Sequence, residues 1–190
     1  MLGFPIPDQP MRFLLLFAVA ALVAATFAGR AQAKEPKLVS KAVVDLDRYI
    51  GRWWVIGNIP YFGERGKIAS ADVYALRVDG KIDNVFVYRK AFDQPEKRMN
   101  AVGMVVPGTN NTQWKIAFFG GLLKADYLVL EVAPDYSWAL IGQPSGKLAW
   151  VFSREQRMDD AQFETLKAKF TGYGYDTRKI VRVPQFADQQ

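Results

Sequence analysis

The 190-residue chain contains neither histidine nor cysteine, and those two absences bound the chemistry it could perform. They remove the usual general base, the Ser-His and Cys-His nucleophiles, thiolate metal sites and disulfides. Asp72, Glu131 and the tyrosines are what remain for proton transfer. Asp72 has the strand parity of Tyr74, so the two are expected on one face, and a carboxyl group turned into an apolar interior has its pKa raised. A single carboxylate without a partner is thin support for catalysis, because perturbed carboxylates are often structural. These residues argue against an enzyme and call for no metal and no cofactor.

The elements that must position them are short apolar segments separated by turn signals, the pattern of an antiparallel all-β sandwich or barrel. Eight strands are predicted, over Arg52–Ile59, Ile68–Val78, Ile82–Lys90, Arg98–Val106, Thr112–Phe119, Asp126–Ala133, Tyr136–Gly142 and Leu148–Arg154. Asp79-Gly80 reads as a two-residue hairpin turn, with longer turns at "PGTNN" and "QPSGK". Then the period changes. Phe163, Leu166 and Phe170 recur at helical spacing, Asp159 with Gln162 fits a capping box, and Met158 with Phe163 fits a hydrophobic staple. One helix cannot form a layer alone, so it is expected to lie across the outside of the sheet on those three residues. A short ninth strand, Lys179–Val183, precedes a polar tail.

Near the N-terminus, Arg12, an apolar run from Phe13 to Ala28, and Ala31-Gln32-Ala33 read as an export signal with a small-x-small cleavage site. The run is about 16 residues, short for a membrane helix. The expected start is Met11 and cleavage is expected after Ala33. That divides the chain into a signal over 1–33, a linker over 34–43, and a barrel with helix and tail over 44–190. The mature protein is then expected to be periplasmic or secreted, with association with the outer membrane as an alternative. The formal charge of +6 is spread along the chain, so no nucleic-acid partner is expected.

Three short motifs stand out on this frame. Gly51-Arg52-Trp53 opens the first strand, Asp135-Tyr136 lies at the turn between strands six and seven, and Arg154 ends strand eight. In that order over eight strands and one helix, they resemble the three motifs of the lipocalins. "LDRYIGRWWVIGNIPYFGERG", Phe118–Gly121 and "WVFSRE" are most similar to the bacterial, apolipoprotein-D-like, Blc-type branch. The similarity spans Val44–Pro184. Pro134 precedes Asp135 where threonine is commoner, and the lipobox cysteine of many bacterial members is missing, which implies a protein without a lipid anchor.

The resemblance implies an eight-stranded antiparallel up-and-down barrel with one C-terminal helix packed outside, plugged at one end to make a cup. Trp53 would close the base with Arg154 over its ring, and Trp54, of opposite parity, would face outward under the helix. Parity anchored on Trp53 and Trp150 places Val55, Tyr74, Val87, Trp114, Ile116, Phe118, Tyr127, Val129 and Trp150 inward, either as a pocket lining or as a filled core. Arg89, on the face of Val87, would sit at the rim and pair with a carboxylate or phosphate; a one-residue slip puts it in solvent and Tyr88 inside. The open-end loops are expected at 60–67, 91–97, 120–125 and 143–147. Their apolar residues, ringed by Arg65, Lys67, Lys97 and Lys124, either touch a membrane surface or partner chain or fold back into the mouth. The expected function is carriage of a small hydrophobic or amphiphilic ligand such as a fatty acid or lysophospholipid, in a monomer or homodimer, with a role in membrane maintenance. The alternatives are an interaction protein with a filled barrel that docks through its open-end loops, and a cofactor-free enzyme on the same fold.

Overall fold

The structure, a computed structural model, describes Leu38, Ser40 and residues 42–189; the expected export signal lies outside the described residues. A one-turn helix, α1 (Leu46–Tyr49), leads into β1 (Gly51–Asn58). β2 (Ile68–Leu76), β3 (Ile82–Arg89), β4 (Lys97–Val105), β5 (Gln113–Phe118), β6 (Leu123–Val132), β7 (Trp138–Gly142) and β8 (Ala149–Ser153) follow, each antiparallel to its neighbour in sequence. β1 pairs with both β8 and β2, which closes the eight strands into a barrel. After the barrel strands come α2 (Asp160–Lys169), which continues as a 3₁₀ turn to Tyr173, and a short β9 (Val181–Arg182); further 3₁₀ turns lie at Phe119–Gly121, Thr177–Lys179 and Ala187–Gln189.

Period-2 alternation splits the apolar residues between two cores. Inside the barrel lie Tyr49, Trp53, Val55, Tyr74, Trp114, Tyr127 and Phe152, all buried. Outside, Ile56, Leu128, Leu130, Leu140 and Val151 of the barrel wall meet Phe163, Leu166 and Phe170. The helix starts where the capping box put it: the Gln162 amide donates to the Asp159 carboxylate at 2.7 Å. Phe163 seats against Gly57 so closely that a Cβ there would lie 2.5 Å from the ring. Trp54 joins this outer core, as expected from its parity.

One turn differs from the expected form and changes the register of a strand. Between β2 and β3 the Arg77 amide donates to the Lys81 carbonyl at 2.8 Å, which makes Val78-Asp79-Gly80 a three-residue loop. Gly80, at φ +77°, supplies the left-handed residue such a loop requires. Tyr74 therefore pairs with Asn84 and Asp72 with Phe86. Adding one residue to a turn moves every side chain of the following strand to the other face. Phe86 and Tyr88 pack with the inner core, and the expected inward placement of Val87 and Arg89 is corrected. Val87 is buried on the other face of the wall, and Arg89 donates to the Gln94 carbonyl at an exposed site.

The wall between β1 and β2 is completed from far down the chain. Their ladder ends at Trp54–Ala71. Above it β9 pairs with Gly57 and Asn58, the Val183 amide donates to Ile56 O at 2.9 Å, and the Ala69 amide donates to Pro184 O at 2.8 Å. The Gln185 side-chain amide bridges Val55 O at 2.7 Å and Ser70 O at 3.2 Å. Residues 181–185 thus fill a gap that two diverging strands leave open.

Candidate functional site: a floored cup

The floor is built by α1 and the motif residues. Trp53 is fully buried and its indole N–H donates to Tyr49 O at 2.7 Å. The Arg154 guanidinium lies 3.8 Å from the centre of the Trp53 ring. It also donates to four backbone carbonyls, those of Arg52 at 2.8 Å, Arg48 at 2.7 Å, Tyr49 at 3.1 Å and Ile50 at 3.0 Å. One rigid fork thereby ties the end of β8 to the plug and to the first strand. Tyr136, at φ +62°, accepts the Asp45 amide on its hydroxyl at 2.9 Å and carries Arg48 on its ring face. Asp135 accepts the Ser137 hydroxyl and amide, which hold its carboxyl below the usual range. Gly51, at φ +99°, lies against the Arg154 guanidinium, where a Cβ would come within 3.2 Å of Nη1.

Beside Trp53 stand the rings of Tyr49, Tyr74, Trp114 and Tyr127, with neighbouring centroids 5.0 to 6.0 Å apart. The Tyr49 and Tyr127 hydroxyls share a hydrogen bond of 2.6 Å. Burial pushes the phenols of Tyr49, Tyr74 and Tyr127 upward, so they remain neutral hydrogen-bonding groups.

Over this aromatic layer a cavity of about 400 Å³ opens toward the opposite end of the barrel. That is within the range of small-molecule pockets, roughly 300–1,000 Å³. Phe86, Ile116, Phe118, Trp150 and Phe152 give it an apolar wall. Tyr61, Phe62, Glu64 and Lys67 reach it from the β1–β2 loop, Phe119 and Lys124 from the β5–β6 side, and Gln143 and Leu148 from the β7–β8 side. Phe62 is 89% exposed and Leu122 is 91% exposed, so the mouth carries an apolar rim. Lys67 Nζ, 4.1 Å from the centre of the Tyr88 ring, stands beside it. A larger groove, about 1000 Å³, lies outside the barrel over β3–β5 and is open surface.

Two carboxyl groups also face the cavity. Glu64 accepts the Asn58 side-chain amide at 2.5 Å and the Trp150 indole N–H at 2.8 Å. Burial raises its pKa, and these two hydrogen bonds and the Lys67 charge pull the other way. Asp72 accepts the Asn84 amide at 2.8 Å. Burial pushes its pKa to about 7, and the neighbouring Glu64 adds to the rise.

Of the residues that parity placed inward, Tyr74, Ile116, Phe118, Tyr127 and Trp150 line the cavity. Val55, Trp114 and Val129 belong to the packed inner core around it. Glu131 lies outside, where it pairs with Lys169 of the helix at 2.6 Å. The parity reading passed over Glu64, Asn84, Phe86 and Phe152, and Lys67 was expected only in the charged ring around the mouth. Asn84 and Phe86 needed the true length of the β2–β3 turn, whereas Glu64 and Lys67 lie on a loop that no periodicity describes.

The comparisons with known proteins agree with this geometry. A model of the family described as "Lipocalin-like domain" matches residues 44–185. Temperature-induced lipocalin-1 of Arabidopsis thaliana is 28% identical over 151 residues, covering 75% of this chain and 80% of its own length. Outer membrane lipoprotein Blc of Escherichia coli is 27% identical over 145 residues, covering 74% of this chain and 79% of its own. Among solved structures, insecticyanin of the tobacco hornworm Manduca sexta superposes with a TM-score of 0.61 at 18% identity, covering 82% of this chain and 86% of its own, a likeness of fold. With its barrel closed by Trp53 and Arg154 and its sequence matched over nearly all of the described residues, the chain belongs to the lipocalin family, in its Blc-type branch.

Proposed function

We propose that the protein is an exported carrier that holds one single-chain amphiphile, such as a fatty acid or lysophospholipid, in its cup. Lipocalins are generally ligand-binding carriers rather than enzymes. The observation that carries the reading here is the cavity itself, with an aromatic floor, an apolar wall and an open, apolar-rimmed mouth. Each methylene that enters it gains about 0.8 kcal/mol, so chain length drives binding and polar groups set the choice among ligands. The anion clamp expected from Arg89 is absent from the cup, because that side chain points out of the wall. Phe62 and Leu122, with Lys67 and Lys124 nearby, suit a mouth that collects or delivers its ligand at an anionic membrane surface. That use fits a place in the periplasm or outside the cell and a role in membrane maintenance.

Native mass spectrometry of the exported protein, purified without detergent, tests this directly, with organic extraction to identify what is carried. A one-to-one complex with a single-chain amphiphile is the expected result, and Phe118→Ala should weaken it. An apo protein whose tryptophan fluorescence does not respond to added amphiphiles would overturn the reading in favour of a docking protein.

A further inference from the structure

Of the two carboxylates in the cup, the protein answers only one. Glu64 has two side-chain donors and the charge of Lys67. Asp72 has a single donor, Asn84 on Oδ1; among the described residues no group donates to Oδ2 and no cation stands beside it. Its position is fixed by two ladders. It pairs across to Trp53 on one side and Phe86 on the other, both inward-facing, and Tyr74 lies two residues farther toward the floor on the same face. Asp72 is therefore aimed into the cavity just above the aromatic layer. Its half-buried carboxylate turns one unpartnered oxygen to the cavity, set among aromatic rings where a pairing charge stabilises it.

We propose that Asp72 anchors a primary ammonium group, and that the cup takes a single-chain amine inserted head first, its chain running to the mouth between Phe86, Ile116, Phe118 and Phe152. This deepens the carrier reading and rests on it. An ammonium offers three donors and a full positive charge to the unanswered carboxylate oxygen. The rings of Tyr74 and Tyr127 line the same space, and aromatic faces favour a cation. The charge balance agrees. Facing Asp72 are Glu64 and Lys67 from the β1–β2 loop, Asn84 from β3 and the neutral phenols of Tyr49, Tyr61, Tyr74 and Tyr127. Both lysines that reach the cavity, Lys67 and Lys124, come from its mouth side and neither stands beside Asp72, so an anionic head directed inward meets like charge. Because burial holds the Asp72 carboxyl near 7, the ionised form that suits an ammonium gains ground as pH rises through neutrality. An alkylammonium, with a pKa near that of lysine at about 10.4, keeps its charge throughout.

The test uses the purified exported protein and three probes of equal chain length, decylamine, 1-decanol and decanoate, each titrated against tryptophan fluorescence at about pH 6 and about pH 8.5. At the higher pH decylamine should bind at least tenfold more tightly than decanol, about 1.4 kcal/mol, with decanoate weakest. The amine-to-alcohol ratio should shrink about threefold or more at the lower pH as Asp72 takes up its proton. In Asp72→Asn the ratio should collapse to within about threefold; the wild-type comparison stands even if that variant folds poorly. Decanol or decanoate binding as tightly as decylamine would overturn the proposal and leave the carrier reading intact, as would an unchanged ratio in Asp72→Asn. If none of the three probes binds, the carrier reading falls and the amine proposal with it.

Discussion

Replacing Arg154 with alanine should be costly at the closed end, and its size can be worked from contacts. The guanidinium donates to the carbonyls of Arg48, Tyr49, Ile50 and Arg52 and covers the Trp53 ring at 3.8 Å. The Arg48 carbonyl is at an exposed site and regains water on mutation. The other three are partly buried, and each hydrogen bond contributes a net ~1 kcal/mol. The cation over the indole adds ~0.5–2 kcal/mol. Arg154 is itself half-buried, so the solvated part of the head discounts the total to about 3 kcal/mol. For a chain of this size that corresponds to a fall in Tm of about 6–12 °C, or a urea midpoint lowered by about 1.5 M at a slope of about 2 kcal/mol/M. Equilibrium urea unfolding followed by tryptophan fluorescence reads it. Arg154→Lys should recover less than half, because one ammonium cannot reach carbonyls spread along a turn. If Arg154→Ala lowers stability by less than about 1 kcal/mol, the guanidinium is an ornament on a floor that packing alone secures, and the reasoning fails.

Three further outcomes follow from the same geometry. Gly57→Ala should destabilise by about 1–3 kcal/mol, because its Cβ meets Phe163, and Phe163→Ala in the same chain should relieve part of the clash; strict additivity in a double-mutant cycle would refute it. The raised Asp72 pKa sets a sign for pH dependence. Between the unfolded value near 3.9 and the folded value of about 7 the native state binds the extra proton, so stability should fall as pH rises through that window, by at most about 1.4 kcal/mol per unit. Asp79, Asp135, Asp176 and Asp188 are shifted downward and act below about pH 4, so above pH 5 the slope belongs mainly to Asp72 with Glu64; Asp72→Asn should flatten it, and an unchanged slope would dismiss the assignment. Finally, Phe62→Glu together with Leu122→Glu should reduce cosedimentation with anionic vesicles severalfold while Tm stays within about 2 °C; equal sedimentation would remove the membrane-facing role from the mouth.

The fold was legible because its signals are local and redundant. Turn residues bounded the strands, Asp159 with Gln162 marked the helix start, and the three motifs all fall on the plug, where one arginine has to meet one tryptophan. The interior was legible only as far as each strand's register could be anchored. β1, β5 and β8 carry tryptophans that fix their parity, and their cavity residues follow. β3 is apolar on both faces, Phe86 and Tyr88 on one and Val85 and Val87 on the other, so its parity hung on whether Asp79-Gly80 closes a two-residue or a three-residue turn, and both patterns carry the same dipeptide. Glu64 was beyond reach for a different reason. A carboxylate on a glycine-flanked loop looks solvated until Asn58 and Trp150, six and 86 positions away, are seen to hold it inside.

The gap between β1 and β2 has a consequence in time as well as in space. β1 is complete as soon as residue 58 is made, yet β8 and the 181–185 segment that flank it lie roughly a hundred residues downstream or more. Joining Val55 to Gln185 closes a loop of 130 positions, an entropic charge of about 4 kcal/mol on top of the constant term, which only a nearly finished barrel can offset. The cup therefore has no leak-tight wall until its distal stretch arrives, and a chain threading through a narrow channel stays unlocked while it passes. Seam closure should be the late, slow event of refolding, after the β2–β6 meander has formed from neighbours in sequence. Pulse-labelled hydrogen exchange would show it: the amides of Ala69 and Val183 should gain protection last, and early protection there would place the seam in the folding nucleus instead.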